Sequence, residues 1–253
     1  MILMPEMGRA QQAAWHSLLD LYELQPDGWT LIGGQLVHLL CAERDYSPQR
    51  PTSDADAVVN ARVPTVLGAV TSALLKLDFD PEPSSDGIQH RWKRGDAVLD
   101  LLIPEGTGIR TEARSSASGF PTVAAPGGTQ ALDRSEVVAV TVGDRVGRVP
   151  RPVLISAMIL KAAARTETTG TGLDRHCHDF AALVSVLAAS DIARIRLTRK
   201  DRRRLARMIE VTRATPLALR ENPEAARRLT RLERALDSAA KPREGTHPLG
   251  SSG

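Results

Sequence analysis

The chain has 253 residues, of which 42% are hydrophobic and 25% are charged, and its formal net charge at pH 7 is only +3. This length suffices for one large domain or two small ones with a buried core. The two cysteines, Cys41 and Cys177, lie far apart and belong to no cluster with zinc spacing, which argues against a zinc protein. No signal peptide and no membrane-spanning apolar run is recognisable, so we expect a reduced, cytoplasmic protein without a membrane partner.

The first predicted elements are a helix, a strand and a second helix. An amphipathic helix is predicted over Arg9–Leu24 and a short apolar strand over Trp29–Ile32. Two glycines, Gly33 and Gly34, then predict a turn, and a helix is expected over residues 35–43. A glycine pair here lets backbone N–H groups approach a phosphate closely, at a helix N-terminus that favours anions. The alternative is that the pair serves only as a turn.

A pair of carboxylates begins the next predicted strand. The strand is predicted over residues 54–59 and opens with Asp54-Ala55-Asp56. Side chains alternate along a strand, so both carboxylates are expected on one face, with Cα atoms roughly 6.5–7 Å apart. Two such carboxylates repel unless a cation lies between them, and Mg²⁺ is a hard cation that takes oxygen ligands. The pattern indicates a metal site, the alternative being two solvated carboxylates on a half-exposed strand.

A third carboxylate lies in a later strand. Beyond a predicted helix at residues 63–77 and a loop at residues 78–87, a hairpin is predicted with strands at residues 89–93 and 97–103. The second strand is apolar except for Asp100 at its centre. A buried charge is costly unless it is paired or binds a metal. Asp100 is therefore expected either to join Asp54 and Asp56 at a metal or to pair with a neighbouring arginine.

The segment after the hairpin is rich in Gly, Ser, Pro and Thr. Residues 105–128 are therefore expected to form a long loop, which is either a lid over the site or only a linker. Strands at residues 137–142 and 145–149 are expected to complete the same sheet. The predicted fold class of this part is α/β (α+β), with a mixed sheet and flanking helices.

The following part of the chain is predicted to be helical. Helices are expected at residues 153–165 and 174–187. The first is apolar nearly all round and carries Lys161 near its end, and a lysine on a buried helix needs a negative partner. Asp179 on the second helix and a bound triphosphate both meet that need. The residues alone leave open whether Lys161 makes a structural ion pair or a phosphate contact.

These motifs together resemble the DNA polymerase β-type nucleotidyltransferase superfamily. The resemblance rests on the glycine pair, the helix after it, the stretch Arg50-Pro51-Thr52-Ser53-Asp54-Ala55-Asp56, and the later strand that carries Asp100. Within the superfamily the chain is most similar to the AbiEii/MenA-like toxin nucleotidyltransferases, over roughly residues 31–187. Those relatives have a helix with a lysine, a polar loop and a helix with an aspartate, and Lys161 and Asp179 match these positions.

The resemblance implies a nucleotidyltransferase-like fold and transfer of a nucleoside monophosphate from an NTP to an acceptor hydroxyl, with Mg²⁺ or Mn²⁺ as cofactor. It also implies RNA, in particular the tRNA 3′ end, as acceptor, and an antitoxin protein as partner. The candidate metal ligands are Asp54, Asp56 and Asp100. The candidate catalytic residues are these three with Lys161 and Asp179, and the candidate nucleotide-binding residues are Gly33, Gly34, Arg50, Thr52, Lys161 and Arg165.

The last part of the chain is strongly basic. Residues 188–238 contain fourteen Lys or Arg and seven Asp or Glu, with basic clusters at residues 199–204 and 227–234. Such clusters are typical of a nucleic-acid partner, and a scarcity of aromatic residues favours recognition of a phosphate backbone; the alternative is a solvated face. The predicted organisation is a catalytic domain at residues 1–150, a helical domain at 151–240 and a disordered tail at 241–253.

Three other functions share parts of this pattern. A transferase that uses nucleotide sugars also displays Asp-x-Asp for a metal, but it needs neither the glycine pair nor the third aspartate. A nucleotidyltransferase acting on a small molecule such as an antibiotic, or on a protein, shares the site, but the small-molecule enzyme does not need the basic helices. A non-catalytic RNA-binding protein on this scaffold would keep the basic helices and lose a carboxylate, whereas all three carboxylates are present.

Overall fold

The computed structural model describes residues 1–83, 88, 90–106, 122–193 and 196–238. Outside the described residues lie most of the predicted loop at 105–128, the predicted tail at 241–253, residues 84–87 of the predicted loop at 78–87, and the first residue of the strand predicted at 89–93. The strands are β1 (Ile2–Leu3), β2 (Trp29–Ile32), β3 (Ala55–Val59), β4 (Asp80–Glu82), β5 (Arg91–Arg94), β6 (Ala97–Pro104), β7 (Ala124–Ala125), β8 (Ser135–Val142) and β9 (Arg145–Pro152). The helices are α1 (Arg9–Leu24), α2 (Gly33–Ala42), α3 (Pro64–Lys76), α4 (Gly128–Asp133), α5 (Leu154–Glu167), α6 (Arg175–Ser185), α7 (Ala189–Ala193), α8 (Arg199–Arg213), α9 (Pro216–Glu221) and α10 (Ala225–Ser238).

The larger sheet has six strands of mixed direction. Five strands lie side by side in the order β2-β3-β6-β5-β4, and β7 pairs with the end of β6. β3 and β6 are parallel, whereas the β2–β3, β5–β6 and β4–β5 pairs are antiparallel. β6 is an almost continuous apolar run because it lies in the middle of the sheet and six of its eight residues are buried. The predicted mixed sheet with flanking helices is confirmed.

β8 and β9 do not complete this sheet, so that part of the prediction is wrong. They form a hairpin over a turn that includes Gly143 (φ +61), and with β1 they make a separate three-stranded sheet. Ile2 and Leu3 of β1 pair in parallel with β8. The two sheets meet where the hydroxyl oxygens of Thr30 and Ser135 lie 2.7 Å apart. Local periodicity predicts that a segment is a strand but not which strand it pairs with.

Two element boundaries near the glycine pair differ from the prediction. α2 begins at Gly33 itself, two residues earlier than expected, and Gly33 has φ +69. Glycine is favoured there because β2 turns directly into α2 through a backbone conformation that other residues rarely adopt. β3 begins at Ala55, so Asp54 lies in the bend before the strand and not within it. The alternation of side chains along a strand therefore does not place Asp54 and Asp56 on one face. Their proximity is shown instead by the effect of the Asp54 charge on the pKa of Asp56, which is described below.

The C-terminal half is helical, as predicted. Every residue of α5 from Leu154 to Ala163 is buried, and α5 packs against α6 and α8. α6 also packs against α2, and the buried apolar residues of both halves belong to one continuous core. The domain boundary at residue 150 stays a prediction. In the described part of the chain, no helix combines the length and the apolarity needed to cross a lipid bilayer.

Candidate active site

The candidate site lies where β2 ends and where β3 and β6 run side by side. In the register of the sheet, Asp56 pairs with Ile32 on one side and with Asp100 on the other. Directly paired residues of neighbouring strands have Cα atoms about 5 Å apart and side chains on the same face, so the Asp56 and Asp100 carboxylates are neighbours. Asp56 is partly buried, and Asp100 is only 7% exposed.

The crowding of carboxylates raises the pKa of Asp56. Burial of the Asp56 carboxyl is the largest cause, the negative charges of Asp100 and Asp54 add to it, and together they raise the pKa from 3.8 to about 6. The positive charges of Lys161 and Arg175 act in the opposite direction without cancelling the effect. The surroundings of Asp56 are therefore short of positive charge, which favours binding of a cation.

Gly33 and Gly34 lie directly against the acidic residues and their supporting loop. A Cβ atom at Gly33 would lie 1.8 Å from Asp56 Oδ2, and one at Gly34 would lie 2.6 Å from Thr52 Oγ1 and 2.8 Å from Arg50 Nη2. Glycine is needed at both positions because a side chain would collide with these groups. No side chain of the described residues caps the N-terminus of α2, so its first backbone N–H groups keep their positive partial charge for other anions.

Gln35 holds the loop that carries Asp54, a role that the sequence does not predict. The fully buried side chain donates from Nε2 to the carbonyl oxygens of Thr52 at 3.3 Å and Asp54 at 3.1 Å. Its Oε1 accepts from Trp15 Nε1 at 2.8 Å and from Gln11 Nε2 at 3.0 Å. A buried amide with its hydrogen bonds made fixes its surroundings. The available signal in the sequence was that Gln35, with His38, is polar within an otherwise apolar helix.

Asp179 connects the helical half to the loop before β3. Its carboxylate accepts a hydrogen bond from Arg50 Nε at 2.8 Å and lies 2.8 Å from Lys161 Nζ. The side chains of Lys161 and Asp179 are only 6% and 4% exposed. Burial alone would raise the pKa of Asp179, but the charges of Lys161 and Arg50 lower it to about 2. Lys161 therefore has its ion-pair partner in this structure, and its contact with a triphosphate stays a prediction.

Thr52 contacts one of the site carboxylates, whereas Arg165 contacts another residue. Thr52 Oγ1 donates to Asp54 Oδ1 at 3.3 Å. Arg165 is directed towards Asp174, with Nη2 3.4 Å from Oδ1, and its Nε is buried without a hydrogen-bond partner among the described residues. His176, one helical turn before Asp179, has an Nδ1 atom in the same unpartnered state. The structure thus brings Thr52 to the carboxylates, whereas the partner that it shows for Arg165 is Asp174.

Arg91 belongs to the site although the sequence does not single it out. It lies opposite Asp100 in the register of β5 and β6. Arg91 Nε and Nη2 donate to Oδ1 and Oδ2 of Asp100, both at 2.9 Å, and Nη2 also lies 3.9 Å from Asp54 Oδ2. The structure therefore shows the arginine-pair alternative for Asp100. The available signal was the basic stretch Arg91–Arg94, which does not reveal by itself which arginine faces Asp100.

The donor set suits a hard divalent cation, but its present arrangement is not a finished metal site. The oxygens of Asp54, Asp56 and Asp100 are ligands that Mg²⁺ prefers, and Asp56 is short of positive charge. Within the described residues, no group of three or more His, Cys, Asp or Glu side chains is arranged to hold a metal ion as it stands. Arg91 occupies both oxygens of Asp100. The residues fit Mg²⁺ once Arg91 releases them.

The basic cluster at residues 199–204 was predicted to contact a nucleic acid, and for Arg204 this prediction is wrong. This residue is buried because the amphipathic α8 turns it inwards, and its guanidinium pairs with Glu167 at 2.5 Å and Glu105 at 3.4 Å. The Arg202 guanidinium is likewise engaged, donating to the Leu197 carbonyl at 3.0 Å. Arg204 therefore stabilises the packing of the helical half and is not available to a nucleic acid.

Part of the basic surface remains exposed. On α10, Arg227 pairs with Glu224, and Arg228 donates to the Leu187 carbonyl. On α8, three cations are exposed, form no ion pair among the described residues and line one surface depression: Arg199, Lys200 and Arg203. We call these three residues the α8 basic surface.

Comparison with known proteins assigns the fold. No protein-family model matches the chain, and no curated protein matches it. The chain is similar to the crystal structure of an antigenic nucleotidyltransferase-like protein from Paracoccidioides brasiliensis, at 13% identity and a TM-score of 0.51, over 85% of this chain and 95% of that chain. The chain has a nucleotidyltransferase-like fold. In this chain, Asp56 and Asp100 lie side by side on the neighbouring strands β3 and β6, and Asp54 lies just before β3.

A second solved structure is similar over a smaller part of the chain. It is the solution structure of the antibiotic-resistance factor ANT(2'')-Ia, at 14% identity and a TM-score of 0.45, over 73% of this chain and 88% of that chain. A similarity of this size adds nothing to the fold assignment.

Proposed function

We propose that this protein is a metal-dependent nucleotidyltransferase, which transfers a nucleoside monophosphate from an NTP to an acceptor hydroxyl. The observation that carries the proposal is the convergence of Asp54, Asp56 and Asp100 on and just before the neighbouring strands β3 and β6, in a nucleotidyltransferase-like fold. Three carboxylates in one place repel one another unless a cation joins them. A divalent cation meets this need, and it takes oxygens of the substrate phosphates as further ligands.

The carboxylates are the proposed ligands of Mg²⁺ or Mn²⁺, which when bound neutralises phosphate charge and stabilises the attacking and leaving oxygens. The task of the chain here is to hold these ligands in place. Gln35 fixes the backbone on which Asp54 lies, and Gly33 leaves room for the Asp56 carboxylate. Rigid support of this kind matters because small displacements of reacting groups cost large factors in rate.

The triphosphate is proposed to lie between the N-terminus of α2 and the helical half. The uncapped N–H groups at Gly33 and Gly34 supply positive partial charge for phosphate oxygens. Lys161 supplies a full charge for the pyrophosphate, and Asp179 keeps Arg50 as a partner when Lys161 turns to the substrate. Arg165, one helical turn beyond Lys161, is the outermost candidate for a phosphate contact.

The reaction moves few atoms. The acceptor oxygen attacks the α-phosphorus, a new P–O bond forms, and the bond from the α-phosphorus to the bridging oxygen breaks, so that pyrophosphate leaves with the electron pair. The proton of the acceptor hydroxyl passes to a carboxylate oxygen of Asp100, which requires that Arg91 has released that oxygen. Positioning and neutralisation of charge supply most of the rate in such a site.

The proposed acceptor is an RNA, and its specific form is the tRNA 3′ end. The α8 basic surface supports this choice because its three cations are exposed and form no ion pair among the described residues. Cations of this kind bind a phosphate backbone without reading its sequence. The assignment to the AbiEii/MenA-like toxins and an antitoxin partner stay predictions.

The test is incubation of the protein with each NTP, labelled at the α-phosphate, with Mg²⁺ and either total RNA or total protein. We expect label in RNA, and we expect an Asp56→Asn variant to transfer none. If the label appears in protein instead, the acceptor is a protein and the proposed reaction still holds. Failure of the folded wild-type protein to bind any NTP in the presence of Mg²⁺ or Mn²⁺ would contradict the proposed function.

A further inference from the structure

The guanidinium of Arg91 holds two of the three carboxylates of the site at once. Arg91 Nε and Nη2 each donate to a different oxygen of Asp100 at 2.9 Å. The same Nη2 lies 3.9 Å from Asp54 Oδ2. β5 and β6 impose this arrangement, since Arg91 and Asp100 are paired directly across the two strands.

This contact uses the oxygens that a metal ion needs. A fork-like pair between a guanidinium and a carboxylate engages both carboxylate oxygens in one plane. A divalent cation at Asp54, Asp56 and Asp100 requires oxygens of the same carboxylates, and its charge repels the guanidinium. The guanidinium and the metal ion therefore compete for Asp54 and Asp100.

The position of Arg91 permits its release. Its side chain is 38% exposed and that of Asp54 is 40% exposed, so the guanidinium approaches the carboxylates from the solvent side. The contact with Asp54 is therefore weak, because water and salt screen it. The pair with Asp100 is stronger, because it is fork-like and the Asp100 side chain is only 9% exposed, so the metal ion must take the place of the guanidinium there. The pair of Lys161 and Asp179 is screened much less, since these side chains are only 6% and 4% exposed.

We propose that Arg91 is the resident counter-cation of the metal-free site, and that binding of a divalent cation displaces its guanidinium from Asp54 and Asp100. Arg91 thereby stabilises the protein without metal and sets the metal concentration at which the carboxylates become ligands. The inference rests on the proposed function, because it takes the three carboxylates as the metal ligands.

The test is direct binding of Mn²⁺ without nucleotide, measured from the signal of free Mn²⁺ in electron paramagnetic resonance. We expect Arg91→Gln to bind Mn²⁺ at least about tenfold more tightly than the wild-type protein, by analogy with the one to three log units by which a nearby cation weakens proton binding to a carboxylate. Arg91→Lys keeps the charge but loses the fork-like pair, and we expect a smaller gain in affinity. If Arg91→Gln does not fold, the Mn²⁺ affinity of Arg91→Lys is compared with that of the wild-type protein instead.

Lys93 supplies the matched control. It lies two residues further along β5, on the same face of the strand, pairs with Glu82 at 2.6 Å and is 45% exposed. Lys93→Gln removes the same charge from nearly the same place, so its Mn²⁺ affinity is expected to remain that of the wild-type protein. An equal gain in Lys93→Gln and Arg91→Gln would overturn the inference, because a change of net charge would then explain both.

A second readout is the melting temperature in the presence of a chelator. We expect Arg91→Gln to melt below the wild-type protein without metal, and Mn²⁺ to raise its melting temperature more than that of the wild-type protein. Asp56→Asn separates the inference from the proposed function. If Asp56→Asn does not weaken Mn²⁺ binding, the metal site itself is wrong. If Asp56→Asn abolishes binding while the Arg91 variants bind like the wild-type protein, only the role of Arg91 is wrong.

Discussion

Lys161 Nζ lies 2.8 Å from Asp179 Oδ2, and Arg50 binds the same carboxylate from the loop before β3. A carboxylate between two cations keeps one partner when the other turns away. The arrangement therefore suits a structural ion pair, and it also suits a lysine that moves to a phosphate when nucleotide binds. In the first role a substitution of Lys161 lowers only the stability of the protein, whereas in the second it also lowers the affinity for NTP.

Replacement of Lys161 by methionine tests both roles. We expect the free energy of unfolding to fall by about 3 kcal/mol, because one partner of a buried pair is removed, with Arg50 limiting the loss. If Lys161 also binds phosphate, NTP affinity falls about tenfold to a hundredfold in protein that is still folded. Urea denaturation and equilibrium NTP binding measure the two effects. The control for stability is the double variant that combines Lys161→Met with Asp179→Asn. Unchanged NTP affinity in Lys161→Met would leave only the structural role.

The raised pKa of Asp56 predicts how stability depends on pH without metal. The folded protein binds this proton more tightly than the unfolded chain, so the Asp56 contribution to stability falls as pH rises from 3.8 to about 6 and is constant above that range. Asp56→Asn removes the effect. We expect this variant to melt higher than the wild-type protein at pH 7 in the presence of a chelator, with the difference shrinking towards pH 4. A difference that does not change with pH would show that Asp56 is not perturbed.

Two glycine substitutions test the fit of Asp56 against α2. Gly33→Ala introduces a Cβ atom 1.8 Å from Asp56 Oδ2 at a residue with φ +69. We expect it to lose more than about 1–2 kcal/mol of unfolding free energy, since the strained backbone alone accounts for that amount. Gly68→Ala on α3 is the matched control, because a Cβ atom there meets nothing within 4 Å. It is expected to gain about 0.5–1 kcal/mol. Thermal denaturation compares them, and a loss in Gly33→Ala of no more than about 1–2 kcal/mol, the cost of the backbone strain alone, would show that Gly33 is only a turn residue.

The α8 basic surface predicts the salt dependence of RNA binding. Replacing Arg199, Lys200 and Arg203 together by Gln should lower the slope of log affinity against log salt by about two to three, at roughly 0.7–0.9 per phosphate contact. NTP binding should be unchanged. The control replaces three exposed arginines that already pair with Glu side chains, namely Arg207, Arg213 and Arg227. If the two triple variants bind RNA alike at every salt concentration, the surface is only a solvated face.

Arg204→Gln is expected to behave differently from that triple variant. Its guanidinium is buried against Glu167 and Glu105, so the substitution leaves carboxylates without their partner. We expect a loss of about 3 kcal/mol in unfolding free energy and an unchanged salt slope for RNA binding. Urea denaturation and a salt titration check the two statements. A stable variant with a reduced slope would place Arg204 in the RNA surface after all.

The sequence alone predicted most of the elements and the acidic residues of the candidate site, although it predicted a loop at residues 78–87, where residues 80–82 form β4. α1 and β2 follow the predicted bounds, and the apolar β6 with Asp100 at its centre was recognisable because a strand buried on both faces has few polar positions. The glycine pair and the Asp-x-Asp stretch were recognisable because their residues are neighbours in the sequence. Each of these signals depends only on residues close together in the chain.

Which distant residues meet depends on how the elements pack. Arg91 faces Asp100 because β5 and β6 pair in one register, and a shift by one residue would turn Arg91 to the other face. Gln35 reaches the carbonyls at Thr52 and Asp54 because α2 packs against the start of β3. The pairing of β8 with β1, and the burial of Arg204, likewise follow from packing between separate elements. Periodicity reports which face of an element is apolar, but the partner of each polar side chain is set by long-range packing, and no local pattern encodes it.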